Sequence, residues 1–216
     1  MIPLLHDFTD ETVLVVGGGP VGARKARRFA AEAEVVVVSP EFTDREFGSS
    51  ELIRAAPSPE EIHTWVSRTD PALVVVATDD SELNAATAAA AKDHGALVNR
   101  ADGGGSEQSV DDVVVPATVR DSPVTVAIAT GGNSPALSKH LREEFEREFA
   151  GAGEMAELTG TLREELKETN MSPQERRDAV RTVVRTDEVW KALDSGRSKA
   201  RQVAEDVIGY HPGDMS

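Results

Sequence analysis

The residues best suited to chemistry begin at Gly17-Gly18-Gly19-Pro20-Val21-Gly22, a Gly-x-Gly-x-x-Gly run that follows an apolar stretch and opens a helical one. In that frame Gly17 permits the tight turn and Gly19 lets a pyrophosphate approach the backbone. Gly22 lets helix and strand pack closely, and the helix N-terminus faces the phosphates with its dipole. The plain alternative is a glycine turn that binds nothing. The next informative position closes the second strand, where an acid usually holds the ribose of NAD and a nearby Arg the extra phosphate of NADP. Here it is Ser39, followed by Pro40, Glu41 and Phe42. Along the chain no base adjoins Ser39, and Glu41 would repel a phosphate, so NAD is the expected cofactor.

Two more segments fall at the ends of expected strands, on the edge where open α/β sheets bind ligands. Thr78-Asp79-Asp80 either lines the nicotinamide side or caps the next helix, and both can hold. Asn99-Arg100-Ala101-Asp102 offers a carboxylate that could abstract a proton beside a nicotinamide ring, or else a surface-turn aspartate. Thr130-Gly131-Gly132-Asn133-Ser134-Pro135 is a second glycine-rich turn before a helix, able to meet an anion through backbone amides or to cap that helix. The five histidines show no metal-ligand spacing, and no metal site is expected.

The elements that must position these residues alternate. Residues 12–16, 35–38, 52–55, 73–77 and 96–98 read as buried strands, and 21–32, 81–94 and a stretch opened by Ser58 as helices. This is the pattern of a Rossmann-type α/β fold with a doubly wound parallel sheet. Residues 113–119 and 124–129 read as two further strands and 135–149 as a helix. Beyond 151 the chain turns helical, over 154–169, 173–184 and 186–209. The expected organisation is a dinucleotide-binding domain over 1–112, a joining segment over 113–150 and a small helical domain over 151–216.

Composition narrows the classes. Thirty-eight acids against 23 bases give a net charge of −15, which argues against nucleic-acid binding. Six of those bases are Lys and 17 are Arg, and an acidic, lysine-poor surface suits work in concentrated salt, the plain alternative being an ordinary soluble acidic protein. Cysteine is absent, so disulfides and thiolate chemistry are excluded. No apolar run reaches the roughly 18–20 residues of a membrane span, and the N-terminus lacks a signal-peptide pattern. A cytoplasmic location is expected.

In order and spacing, residues 15–26, Ala77-Thr78-Asp79-Asp80, Val98-Asn99-Arg100-Ala101-Asp102, Val115-Pro116-Ala117 and residues 129–137 resemble the precorrin-2 dehydrogenase / sirohydrochlorin ferrochelatase family, the N-terminal region of siroheme synthase. The resemblance implies oxidation of precorrin-2 to sirohydrochlorin with NAD⁺, and in many members Fe²⁺ insertion afterwards. It implies that Asp102 is the catalytic residue and that the glycine turn, the segment after the second strand and 78–80 contact NAD. It also implies a homodimer joined around 113–149, with the last helices helping to wall the substrate cleft. Arg100, Arg120, Lys139 and Arg142, with the Thr130–Ser134 turn, are the candidates for the substrate's carboxylates. The 14 positions from Asp102 to Pro116 are longer and more acidic than the family's usual connection. Glu107, Asp111 and Asp112 there could attract Fe²⁺. The rival readings are a nucleotide-sensing module without catalysis and a tetrapyrrole-binding scaffold.

Overall fold

The β-branched runs of the first hundred residues become five short parallel strands. They are β1 (Thr12–Val16), β2 (Glu34–Ser39), β3 (Glu51–Arg54), β4 (Leu73–Val76) and β5 (Leu97–Arg100), in the order β3-β2-β1-β4-β5. The computed structural model describes residues 2–100 and 112–210. The chain forms two compact units, divided between Val115 and Pro116. In the first unit, alternate side chains of each strand feed opposite faces of the sheet. Leu14, Val16, Val38, Val74, Val76 and Val98 enter one apolar cluster, and Val13, Val15, Val35, Val37, Leu73 and Val75 the other. Both faces are covered, which is why the central strands β1 and β4 are apolar almost throughout instead of alternating. Each fully buried valine contributes about 1.5–3 kcal/mol.

The helices α1 (Pro20–Phe29), α2 (Ile62–Thr69) and α3 (Ser81–His94) supply the cover. Ala88, Ala90 and Ala91 let α3 lie close on the sheet, and Gly95, at φ +86°, ends it. The chain runs β1, β2, β3 outward on one side and then crosses to β4 on the other. The carboxyl ends of β1 and β4 therefore flank the switch point, where ligands bind in such sheets.

The second unit pairs β6 (Ala117–Asp121) with β7 (Val124–Ile128) as an antiparallel ribbon, followed by α4 (Pro135–Glu148). Then come α5 (Ala152–Glu165), a 3₁₀ turn (Leu166–Glu168), α6 (Pro173–Arg185), α7 (Asp187–Leu193) and α8 (Arg197–Ile208). Met155, Leu158, Leu162, Val183, Val189 and Ala200 form their shared core.

Of the expected boundaries that move, the helix over 21–32 ends at Phe29 and that over 154–169 ends in a 3₁₀ turn, and three others shift further. The helix read as opening at Ser58 begins at Ile62, because 58–61 is a separate turn in which Glu61 N–H donates to Ser58 O (3.1 Å) and Ser58 N–H to Glu61 Oε2 (3.0 Å). The strand read from 113 begins at Ala117: Val113 instead returns to the first sheet, donating its N–H to Val98 O at 2.7 Å. The single helix read over 186–209 is two, broken at Gly196, whose φ of +104° is foreign to a helix.

Candidate functional site

The glycine turn is held by steric exclusion. Gly17 has φ +122°, and a Cβ there would overlap the Ala77 carbonyl at the end of β4, so only glycine fits. A Cβ on Gly22 would overlap the Gly17 carbonyl, which is the close approach of α1 to β1 anticipated from the spacing. Gly18 is confined by Glu41 O and by the Ser39 and Phe42 side chains. Backbone bonds complete the turn: Gly17 N–H donates to Val38 O (3.0 Å) and Thr43 N–H to Gly18 O (2.9 Å). Gly19 differs from these, since nothing lies within 4 Å of the place a Cβ would take. It is also the N-cap of α1, with no side-chain acceptor on the helix N-terminus, and Pro20 fills the first turn. An open glycine backbone before an uncapped helix dipole fits a dinucleotide's pyrophosphate.

Ser39, 7% exposed, ends β2. Counted along the chain it has no basic neighbour; in three dimensions it has one. The β2–β3 register pairs Ser39 with Arg54. The Arg54 Nη1 donates to Pro40 O at 3.0 Å, and its guanidinium stands 5.6 Å over the Phe42 ring. Phe42 packs edge-on against Phe47 at 5.6 Å and against the sheet's core. Arg54 thus clamps the 39–42 segment that walls Gly18. Sequence reading missed it because strand pairing, not chain distance, makes the two neighbours.

At the end of β4, Asp80 caps α3, its Oδ1 accepting from Glu82 N–H (2.9 Å) and Leu83 N–H (3.0 Å). Thr78 donates to Asn84 Oδ1 (2.6 Å), and Asn84 Nδ2 donates to Thr78 O (2.9 Å), which locks the strand-to-helix turn. Asp79 is exposed beside it. The capping role of Asp80 is therefore real, and the backbone of 78–80 stays at the switch-point edge.

At the end of β5, Asn99 is buried and Arg100 exposed. Asn99 Nδ2 donates to Val113 O (2.8 Å), and Asp112 pairs with Lys92 at 3.4 Å. Asp102, Glu107 and Asp111 lie outside the described residues.

In the second unit, Thr130 and Ser134 organise their turn. Thr130 Oγ1 lies 3.0 Å from Ser134 O and from Ser138 Oγ, and Ser134 Oγ accepts from Leu137 N–H (3.2 Å) as the cap of α4. Gly131 and Gly132 take φ +61° and +80°. The candidate bases of α4 meet carboxylates: Lys139 lies 3.8 Å from Glu143, and Arg142 bonds Glu146 and approaches Glu143 at 3.4 Å. Arg120 is on β6.

One base on α1 stands apart. Burial, and then the nearby Arg28 and Arg24, push the Lys25 ammonium down to about 8.

A parallel sheet with a glycine turn of this geometry at its switch point defines a Rossmann-type dinucleotide-binding protein. A family described as "Putative NAD(P)-binding" matches residues 4–117, and one described as "Sirohaem biosynthesis protein central" matches 121–148. A precorrin-2 dehydrogenase of Methanosarcina barkeri is 31% identical, over 97% of this chain and 94% of that protein. Siroheme synthase 1 of Pectobacterium atrosepticum is 36% identical over 77% of this chain, which spans only 34% of that longer protein. The solved structure of SirC, a precorrin-2 dehydrogenase, shares the fold with a TM-score of 0.61 at 22% identity, covering 97% of this chain and 100% of that one. The chain belongs to the precorrin-2 dehydrogenase family, the family of the siroheme synthase N-terminal region.

Proposed function

We propose that this chain oxidises precorrin-2 to sirohydrochlorin with NAD⁺, in siroheme biosynthesis. The observation that carries this reading is the match to a precorrin-2 dehydrogenase along nearly the whole of both chains. When bound, the dinucleotide supplies the hydride acceptor. The groups suited to hold it are the Gly18–Gly22 backbone with Pro20 and Val21, the 39–42 segment at the ribose end, and the backbone of 78–80.

The substrate loses a hydride and a proton together, so one base must be ionised near neutral pH. Asp102 is that base in our reading. Arg100, Arg120, Lys139, Arg142 and the Thr130–Ser134 turn remain the groups proposed for the substrate's carboxylates, by charge-assisted bonds. For Lys139 and Arg142 this requires exchanging Glu143 and Glu146 for the substrate. The finer reading adds chelation: Fe²⁺ enters as a substrate, and Asp102 receives the pyrrole protons it displaces.

We further propose a homodimer joined through 113–150. Two features support it: α4 buries no residue, and Leu137, Leu141 and Phe149 are 47%, 42% and 45% exposed. Among the described residues no helix is long and apolar enough to cross a membrane. The reading as a biosynthetic enzyme supports a cytoplasmic location, and the excess of acids over bases supports work in concentrated salt.

The test is anaerobic incubation with precorrin-2 and NAD⁺ in molar KCl, following NADH and sirohydrochlorin absorbance. Turnover by the wild type that falls at least a hundredfold in Asp102→Ala is expected, with NADH binding retained. Absence of turnover by folded, NAD-binding wild type would overturn the reading. Adding Fe²⁺ then tests chelation through the siroheme spectrum.

A further inference from the structure

On a chain of net charge −15, five of the 23 basic residues line one cavity. It measures about 530 Å³ and lies between α5, the 3₁₀ turn and α6. Arg163 and Lys167 come from one wall and Arg176, Arg177 and Arg181 from the other; Pro173 and Val180 add apolar surface, and no carboxylate lines it. Four of these cations have hydrogen-bond or ion-pair partners. Lys167 bonds Glu164 (2.6 Å), Arg181 bonds Asp178 (2.6 Å), Arg177 donates to Gln174 Oε1 (2.7 Å) and Arg176 to Lys167 O (3.4 Å). After the Lys167 hydrogen bond, the Arg163 charge also helps lower the pKa of the exposed Glu164 carboxyl.

Arg177 and Arg181 sit four residues apart on α6, where like charges repel, and Arg163 of α5 and Lys167 of the 3₁₀ turn add two more cations on the facing wall. Glu164 and Asp178 offset part of that repulsion from outside the lining, and a bound anion would offset the rest. The volume is that of a small-molecule site, and the mixture of apolar surface with fork-shaped guanidinium donors suits a flat apolar body edged with carboxylates. A protein segment would instead seek backbone partners along a groove.

We propose that the cavity between α5 and α6 is a binding site for a polycarboxylate tetrapyrrole, whose rim carboxylates are held by Arg163, Lys167, Arg176, Arg177 and Arg181. The choice of a tetrapyrrole among polycarboxylates rests on the function proposed above. None of these residues belongs to the glycine turn, to the sheet's carboxyl edge or to 130–142.

Uroporphyrin III, an air-stable octacarboxylate, is the probe. Its Soret band would be titrated with the full chain at the lowest salt that keeps it folded, alongside Arg163→Glu/Arg177→Glu and Arg163→Lys/Arg177→Lys. We expect saturable binding that weakens with added KCl, at least tenfold weaker in the Glu variant and largely kept in the Lys variant. Hydrogen exchange should slow over 163–181 on adding the porphyrin. Far-UV circular dichroism and melting curves equal to wild type show each variant folded. Unchanged porphyrin affinity in the Glu variant, no slowing over 163–181, or no binding by wild type overturns the proposal. So does binding of a polyglutamate peptide in place of the porphyrin, which would make the cavity a protein-docking surface. If the cavity binds uroporphyrin while precorrin-2 is not oxidised, only the enzymatic reading falls. If oxidation proceeds and the cavity ignores uroporphyrin, only the cavity assignment falls.

Discussion

Asn99 reaches across from β5 to Val113: its Nδ2 donates to the Val113 carbonyl at 2.8 Å, while Val113 N–H returns a 2.7 Å bond to Val98 O. Val113 and the end of β5, which flank the segment containing Asp102 in sequence, are thereby tied together. Asn99 is 4% exposed, and its Oδ1 has no hydrogen-bond partner among the described residues. Asn99→Ala should cost about 1–3 kcal/mol, because the Val113 carbonyl loses a buried donor. It should also lower turnover with little change in NADH affinity. Chemical denaturation and steady-state kinetics check the two halves, and an unaltered kcat would deny Asn99 its positioning role.

The glycines of the turn should separate by experiment. Gly19→Ala finds open space and a permitted backbone, so its melting temperature should stay near wild type while NADH binding weakens several-fold. Gly22→Ala meets the Gly17 carbonyl and should destabilise by about 1–3 kcal/mol through overpacking. Melting curves with and without NADH report both.

Arg54→Ala releases Pro40 and Phe42, and with them the wall beside Gly18. The expected result is a three- to tenfold rise in the KM for NAD⁺ with kcat little changed, about 1 kcal/mol of binding. A fall in kcat with KM unaltered would show that the clamp acts elsewhere.

Lys25 titrates near 8 in the folded chain, against 10.5 for an ordinary lysine, chiefly because of burial. Below pH 8 both folded and unfolded states carry the proton, and the folded state bears the full penalty of a buried charge. Between pH 8 and 10.5 only the unfolded state keeps it, so this group's contribution to stability rises with pH across that window. Lys25→Met should therefore raise the melting temperature at pH 7 by about 2–4 °C. The advantage over wild type should shrink as pH climbs from 8 towards 10.5. Parallel melting curves across that range test it.

Local chemistry explains what could be read in advance. Valine runs buried on both faces have no other home than a covered parallel sheet, and Gly17 and Gly22 are glycines because backbone must approach backbone there. Helix α3 was legible to the residue, since Asp80 and Gly95 mark its ends through bonds made within a few positions. The helix signals at Ser58 and across Gly196 misled for a related reason. There the turn bonds of Ser58 with Glu61, and a glycine at positive φ, outweigh propensities that differ by a few tenths of a kcal/mol.

What sequence by itself determined about this protein is the order of its elements, the place of the glycine turn and the family it resembles, because each rests on neighbours along the chain. Tertiary structure alone decided that Arg54 stands beside Ser39, that Asn99 holds Val113, and that cations from α5 and α6 share one cavity. Those pairings cost loop closure and are set by register and packing. They join residues whose separation in sequence carries no sign of the contact.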